Sequence, residues 1–556
     1  MSLELLPNEI LLDTFSYFTG VELLRTFYAL NSRLNSVLHE QFYVSSFKFD
    51  SISKHDFDII CQQHLLQIAK YMTVLQLSDH EQTPTAIQLF LSSIQSFHMF
   101  KQLKSLSFSH LRSYESFSII IDRCFHLDKL TDLKFDSCYF DEMNLIDFQS
   151  IIDRIWCLAN LRHCSFGFAI RGLNSFPIPK HRSISLESLF IEKIQLKLDQ
   201  INQLIEQTPN LQTLSISIRT FTDNNYVPMV LLNLTSLHIH SIVNCNASNM
   251  SVLLENTPNL RCLSVNLLCE IINGHQLKDI IRNHLKNLEI LRLKMKFLCP
   301  SNETAENRVG YLMNSFQDRF WIDEHQWFVR SLISNCLIYL YTTSEYYEDD
   351  LPIRFQSTNL IDNEKQFYDT RITKLTCPIF FEQSYRLSNL RTLEINLPLN
   401  DRFWSIMTNF DRLKSLTVLL HTNAFQSQVQ ELLNRTVHLK KFSIKQHEST
   451  PLPQALFKYK HQSIQELDLR YINHFFSPDE CAKLCQSPLG NQCHVLSILV
   501  KNCASIEKIL DRMPKIRALN VRCKERQEID WFRKQLPMTC SINRDWKNSS
   551  NLVIWI

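Results

Sequence analysis

The chain has 556 residues, 45% of them hydrophobic and 11% aromatic; this excludes disorder on a large scale and exceeds the roughly 250–300 residues at which one core stops growing. Its 58 basic and 56 acidic residues leave a net charge of +2, without the basic excess or stripe of a nucleic-acid binder. Only 6 glycines are present, and no G-x-G-x-x-G, G-x-x-x-x-G-K or G-x-S-x-G occurs, which argues against loops that need glycine to approach phosphate closely.

The N-terminal pattern is helical. It runs Leu5-Leu6-Pro7-Asn8-Glu9-Ile10-Leu11, then Phe15 and Phe18. Pro7 fits a first helical turn, where its missing N–H is no loss. Ile10, Thr14 or Phe15, and Phe18 are expected to form one face, with Thr19-Gly20 as the stop. A second helix is expected from Val21, carrying Leu24 and Phe27, and a third carrying Leu34, Val37 and Leu38. About 40 residues in short helices bury too little surface to stand alone. The module must therefore lean on the remainder of the chain, on a partner, or on both.

From about residue 100 a phrase recurs: an apolar residue, two polar ones, Leu, one polar, then Leu, Ile, Val or Phe. It reads Leu103-Lys-Ser-Leu106-Ser-Phe108, then Leu130-Thr-Asp-Leu133-Lys-Phe135 and Leu161-Arg-His-Cys164-Ser-Phe166. It returns at Leu186, Leu211, Leu234, Leu260 and Leu288, and again at Leu390, Leu413, Leu439, Ile464 and Ile516. In the first series the steps are about 23 to 31 residues, close to a leucine-rich repeat. The last three positions alternate apolar, polar, apolar, as in a strand buried on one face. Helical spacing lies between phrases, at Leu198, Ile201 and Ile205, at Met250, Leu253 and Leu254, and at Phe425, Val429, Leu432 and Leu433. One strand and one helix cannot bury their own apolar faces, so the units are expected to stack. Over roughly 100–525 the chain resembles leucine-rich-repeat proteins. The expected fold is α/β, a leucine-rich-repeat solenoid with parallel strands on the concave face and helices outside.

Between about 296 and 385 the phrase fades, with Ile372-Thr-Lys-Leu375 as a weak unit near its end. This stretch holds Phe316, Phe320, Trp321, Trp327, Phe328, Tyr339 and Tyr341, then Tyr346, Tyr347, Glu348, Asp349 and Asp350. Clustered aromatics are usually core. The alternative is a protruding substrate-docking loop, with Tyr346 to Asp350 offering contact area and charge to a basic partner. Four segments result: a helical module over 1–45, a first block of repeats over 46–295, the aromatic and acidic interruption over 296–385, and a second block with a C-terminal cap over 386–556.

The 17 cysteines are scattered without C-x-x-C, several inside apolar runs such as those of Cys164, Cys262 and Cys377. This is the usage of buried free thiols in a reducing compartment. Cys481, Cys485, Cys493 and His494 have a poor spacing for zinc, since adjacent ligands rarely reach one tetrahedral ion. The adjacent carboxylates Asp349-Asp350 and Asp479-Glu480 read as solvated loops rather than acid–base pairs. No metal, cofactor or catalytic residue is expected. Neither a secretory signal nor an apolar run long enough to span a bilayer is visible, so a cytoplasmic or nuclear protein is expected.

The Leu-Pro-Asn-Glu-Ile-Leu start, the Phe-x-Tyr-Phe end of the first helix and the Glu-Leu-Leu-Arg start of the second, directly upstream of leucine-rich repeats, resemble an F-box over roughly residues 2–42. The resemblance implies a substrate receptor of a ubiquitin ligase: the F-box binds a Skp-type adaptor, through it a cullin, and the repeats hold a protein substrate. It further implies that Leu6, Pro7, Ile10, Leu11, Phe15, Leu23 and Leu24 face the adaptor or support the surface that does. Two alternatives stay open. The helices could merely seal the first repeat, and the repeats could form an interaction scaffold without a ligase link. Neither nucleic acid nor membrane is an expected partner.

Overall fold

The computed structural model describes residues 5–50, 52–141, 144–173, 175–219, 229–243, 245–268, 271–299, 304–334, 337–342, 354–357, 374–376, 389–399, 401–407, 409–420, 426–446, 452–525, 540–544 and 551–556. The chain divides into two compact units, one of Met1–Val329 with Leu337–Thr342, the other of Arg330–Cys336 with Thr343–Ile556.

The first unit opens with three helices, α1 (Asn8–Phe15), α2 (Gly20–Phe27) and α3 (Ser32–Phe42). Ten strands then lie side by side in chain order: β1 (Ser46–Phe49), β2 (Val74–Ser78), β3 (Ser105–Ser109), β4 (Asp132–Phe140), β5 (His163–Ile170), β6 (Ser188–Leu196), β7 (Thr213–Ile218), β8 (Ser236–Val243), β9 (Cys262–Leu268) and β10 (Ile290–Leu298). Every neighbouring pair among them is parallel. Helices lie in most of the intervals: α4 (Lys54–Ile59), α5 (Leu65–Ile68), α6 (Ala86–Ser93), α7 (Tyr114–Cys124), α8 (Leu145–Trp156), α9 (Leu198–Glu206), α10 (Ala247–Leu254) and α11 (Gly274–His284), with α12 (Ala305–Ser315) after the last strand. A strand, a helical return and a parallel neighbour is what each phrase demands, because adjacent parallel strands need a crossover.

The phrases are in register. Leu75, Leu106, Leu133, Cys164, Leu189, Leu214, Leu237, Leu263 and Leu291 form one row across nine strands, and all are buried. A second row runs through Phe108, Phe135 and Phe166. Phe108 stacks on Phe135 at 5.8 Å, Phe117 of α7 meets Phe135 at 4.7 Å, and Trp156 of α8 stacks on Phe166 at 6.2 Å. The core thus lies between the sheet and its returning helices.

Two seams, one of backbone and one of side chains, join the repeats. The carbonyl of the second phrase residue accepts two N–H groups from the next repeat. Lys104 takes those of Thr131 and Asp132, Thr131 those of Arg162 and His163, and Gln212 those of Thr235 and Ser236. One residue before the phrase, an asparagine amide donates to a carbonyl of the repeat behind: Asn160 to Asp128 at 2.7 Å, Asn210 to Ile184 at 2.7 Å, Asn233 to Pro209 at 2.8 Å, Asn259 to Leu232 at 2.8 Å and Asn287 to Pro258 at 3.1 Å. Together these bonds hold each loop that leads into a strand against the loop of the repeat behind.

The second unit contains β11 (Arg330–Ser334), while β12 (Leu337–Tyr341) belongs to the first, where it pairs antiparallel with β10 and ends the parallel run. β13 (Arg354–Ser357) pairs antiparallel with β11. A second parallel sheet is built from β14 (Lys374–Thr376), β15 (Thr392–Asn396), β16 (Ser415–Leu420), β17 (Lys441–Gln446), β18 (Glu466–Asp468), β19 (Val495–Val500) and β20 (Ala518–Cys523), in chain order. β21 (Ser541–Arg544) and β22 (Asn551–Trp555) pair antiparallel, and β22 closes on β20. Its helices are α13 (Asp401–Ile406), α14 (Gln426–Arg435), α15 (Pro478–Gln486), α16 (Pro488–Gln492) and α17 (Cys503–Arg512). The same two-donor seam recurs: Arg391 accepts from Lys414 and Ser415, Lys414 from Lys440 and Lys441, and His494 from Arg517 and Ala518. Both units are therefore leucine-rich-repeat stacks of one design.

Several expectations need correction. Thr19-Gly20 does not end the first helix but begins the second. Thr19 caps α2, accepting from the Glu22 N–H at 3.3 Å, while its own N–H donates to the Glu22 carboxylate at 2.8 Å, a reciprocal capping box. Pro7 sits at the cap position before α1 rather than inside its first turn. Leu11 and Phe15, not Ile10, are the buried stripe of α1. Cys262 is half-exposed because it holds the third phrase position, which faces away from the helices. Three repeats depart from the phrase, at β1, β2 and β19. Their leading residues are Val44, Met72 and Cys493 in place of Leu, but Phe47, Leu75 and Leu496 occupy the shared row of the register.

Candidate functional site

The N-terminal helices divide their apolar residues between two directions. Inward, Phe15 meets Phe27 at 4.9 Å, and Leu11, Leu23 and Leu24 are buried beside them. Toward the repeats, Phe42 of α3 meets Phe47 of β1 at 5.2 Å, His39 stacks on Tyr71 at 4.5 Å, and the Tyr28 hydroxyl donates to Gln67 at 2.8 Å. Gly20 lies so close to the Phe47 ring that an added Cβ would stand 2.7 Å from it. Outward, Leu5 is 77% exposed, Ile10 47% and Leu30 61%. Pro7 is exposed and Leu6 half-buried. The Arg33 guanidinium donates to the Leu6 carbonyl at 2.5 Å and to Asn8 Oδ1 at 2.9 Å. This ties the start of α3, just after Leu30, to the segment that bears Leu6 and Pro7. Of the seven residues singled out from the sequence, Pro7 and Ile10 stand on the outer surface with Leu6 at its edge. Leu11, Phe15, Leu23 and Leu24 lie beneath it.

The aromatic interruption is mostly core where it is described, with Phe328 half-buried. Phe316 and Trp321 meet at 4.8 Å, Trp327 stacks on His325 at 4.1 Å, and Phe316, Phe320, Trp321, Trp327, Tyr339 and Tyr341 are all buried. They belong to the end of the first stack, where β12 covers β10. Tyr346, Tyr347, Glu348, Asp349 and Asp350 lie outside the described residues, as do Cys377 and Phe425.

Cys481 and Cys485 are buried in α15, and Cys493 leads the β19 repeat, with its thiol donating to the Val495 carbonyl at 3.0 Å. Burial pushes these thiols up to about 12, 11 and 12 respectively, far from the thiolate that binds metal. Among the described residues no group of three or more His, Cys, Asp or Glu side chains is placed to hold a metal ion. Ser215 Oγ and His240 Nε2 are 2.7 Å apart, yet Ser215 is only 1% exposed. Its hydroxyl is a buried partner of the imidazole rather than a group open to substrate.

Two surfaces of the first stack remain. At the strand starts, the seam residues of eight successive repeats surround a hollow of about 1320 Å³. Two ion pairs cross between neighbouring repeats in its lining, Arg162 with Glu187 at 3.5 Å and Arg261 with Glu289 at 3.7 Å. The second surface is the open side of the sheet, opposite the helices. On β7–β10 its rows read Thr213, Ser236, Cys262, Ile290, then Ser215, His238, Ser264, Arg292; beyond the β8–β9 register shift Ser217 lies beside Ser241 and Asn266 beside Lys294. Lys296 extends it along β10 and lies over the Tyr339 ring at 5.1 Å. His240 protrudes where the β7–β8 register shifts. Ser236 Oγ lies 2.9 Å from His238 Nε2. The His238 pKa is pushed down, by burial first, then by Arg292 and His240. These residues were not singled out from sequence, although the alternation Leu291-Arg-Leu293-Lys-Met295-Lys already puts the three cations on one side.

No family model matches the chain, and no curated protein does. Among solved structures it is similar to an internalin from Listeria monocytogenes, at 9% identity and a TM-score of 0.25, over 75% of this chain and 89% of that one. It is also similar to TLR13 in a complex with ssRNA13, at 14% and 0.26, over 83% of this chain and 58% of that one. A third is the leucine-rich-repeat ectodomain of the Arabidopsis receptor kinase HAESA with a peptide hormone, at 12% and 0.22, over 85% and 76%. The register of the strands, rather than these distant likenesses, carries the repeat assignment. Among the described residues no helix is long and apolar enough to cross a membrane.

Proposed function

We propose that the chain is the substrate-recognition adaptor of a ubiquitin ligase of the Skp, cullin and F-box type, the N-terminal helices docking to the Skp-type adaptor and the repeats holding a protein substrate. The observation that supports it is the set of exposed apolar residues of the module, Leu5, Pro7, Ile10 and Leu30, on helices whose inner residues are already spent on one another and, through Gly20 and Phe42, on Phe47 of β1. Exposed apolar side chains grouped in this way are the usual mark of a docking surface. On this reading the chain does no bond chemistry itself; it supplies proximity and orientation, in the cytoplasm or nucleus, without cofactor, nucleic acid or membrane.

The test is co-elution of the full chain with a Skp-type adaptor. Replacing Leu6 and Pro7 together by Asp is expected to abolish it, and Ile10→Asp, at an exposed position, to weaken it at least about tenfold. A chain that binds equally well with these changes is not such a receptor. The second reading, a repeat scaffold with a helical cap, is favoured by the Gly20 and Phe42 contacts on Phe47. It predicts that no adaptor co-elutes and that the Ile10 variant behaves as the parent.

A further inference from the structure

Where the second stack ends, two free thiols lie side by side. Strands β19 and β20 run in register up to Val500 opposite Cys523. The Lys524 N–H then donates to the Val500 carbonyl at 2.9 Å and the Glu525 N–H to the Lys501 carbonyl at 3.3 Å, so the backbone keeps this pairing just past the strands. The Cys523 thiol donates to the same Lys501 carbonyl at 3.7 Å. Two residues after Lys501, Cys503 opens α17. Its thiol and that of Cys523 are hydrogen-bonded to one another, and neither belongs to a disulfide. Cys503 is buried, whereas Cys523 keeps part of its surface in solvent. We infer that Cys503 and Cys523 are a reversible disulfide site, closed by exchange with a small disulfide such as oxidised glutathione, that staples α17 to β20.

Contact is the first requirement of such a site. Two sulfurs that already share a hydrogen bond have only to close to about 2.0 Å, the length of the bond, and each thiol turns about its own Cα–Cβ bond. Access is the second, because exchange begins on a sulfur that the small disulfide can reach. The half-buried Cys523 offers one, whereas Cys124, Cys164, Cys481 and Cys485 are all buried. Burial first, then Cys523 and the carboxylates of Glu507 and Glu525, push the Cys503 thiol up to about 12, and burial pushes that of Cys523 up as well. The reduced pair is therefore not held as thiolate, the stabilisation that makes some dithiols strong oxidants when closed. The exchange balances. Cys523, once deprotonated, attacks one glutathione sulfur; the glutathione S–S bond breaks, a mixed S–S bond forms, and the departing thiolate takes up the proton. Cys503, deprotonated in turn, attacks the Cys523 sulfur; the mixed bond breaks, and the second glutathione leaves and is protonated. Two protein thiols lose two electrons and the glutathione disulfide gains them. Excess reduced glutathione runs both steps backward. The closed ring contains α17 and ties its start to the strand on which β22 closes, and a cross-link of this kind constrains the unfolded chain more than the folded one. In a reducing compartment the bond is transient.

The experiment equilibrates the full folded chain with oxidised or reduced glutathione at about pH 8, where thiolate forms more readily. The reaction is quenched with acid, the remaining thiols are blocked with N-ethylmaleimide, and peptides are mapped by mass spectrometry. Oxidised glutathione is expected to give a peptide linked through Cys503 and Cys523, which reduced glutathione reverses. It is also expected to raise the melting temperature by about 5 °C or more. Both effects should vanish in C503S and in C523S, the second at a half-buried position, and persist in C157S, at an exposed cysteine. Circular dichroism of each reduced variant checks that the fold is kept. Three results overturn the inference: no linked peptide with oxidised glutathione in excess, a Cys523 that stops at its mixed disulfide with glutathione, or a linked chain that melts no higher than the reduced one. None of them bears on adaptor co-elution, so the ligase reading stands or falls by its own test.

Discussion

Single side chains decide the geometry at both ends of the first stack. Gly20 is a glycine because α2 approaches the Phe47 ring more closely than a Cβ allows. Gly20→Ala should cost about 1–3 kcal/mol through overpacking, read as a lower midpoint in urea; an unchanged midpoint would mean that the ring moves freely. In the second repeat, the Asp79 carboxylate accepts the Ile87 N–H at 2.8 Å at the start of α6. Burial nevertheless pushes its pKa up to about 7. An acid whose folded pKa lies above its unfolded value loses stability as pH rises between the two and loses no more beyond the higher one. Asp79→Asn keeps the acceptor without the charge. Its stabilising effect should therefore grow from about pH 4 to about pH 7 and then level off, which thermal melts across that range would show. At the other end of the sheet, His238 should be neutral at pH 7, since burial, Arg292 and His240 all favour that form. In Arg292→Gln its pKa, measured by NMR, should move upward.

At the scale of the element, the sequence is legible where the phrase keeps Leu or Ile in its first place and blank where it does not. Strands β3 to β10, β15 to β18 and β20 stand where the phrase puts them, because an apolar residue at every second position on a strand leaves little choice of face. Strands β1, β2 and β19 are hidden for a local reason: their leading residues are Val44, Met72 and Cys493, of which Met72 and Cys493 are buried where Leu would be while Val44 stays exposed. Cys493 resembles a metal ligand only when taken outside its repeat. The helix start at residues 19–20 is ambiguous because Thr before Gly serves a stop and a capping box equally. The asparagine seam is visible in the sequence as Asn before Leu at 160, 210, 233, 259 and 287, but only the fold shows what each amide meets. Asn259→Ala should cost about 0.5–1.5 kcal/mol, the net value of one such bond, by urea unfolding. A neutral result would make the seam a passive consequence of stacking.

At the scale of the molecule, two stacks of the same construction are each closed by antiparallel strands, β12 on β10 and β22 on β20. Stability in such a stack is close to a sum over neighbouring repeats, so damage should stay local. Trp555 is fully buried in β22. Trp555→Ala should cost the second unit about 3–5 kcal/mol. In hydrogen exchange, protection should fall in β19 and β20 while amides of β2 to β9 exchange as before. Loss of protection throughout would show instead that the whole chain unfolds as one.

The two-donor seam also bears on how such a chain can change. The stretch from one phrase to the next varies by several residues, yet the carbonyl that receives two donors keeps its place in every repeat where it occurs. The splice point is therefore standardised while the return path is free. Lengthening or shortening a helix leaves the splice untouched, and a whole unit such as 211–233 could be duplicated or excised with its neighbours meeting in the same way. A lineage, or an engineer, could lengthen the array by copying, with no new joint to invent.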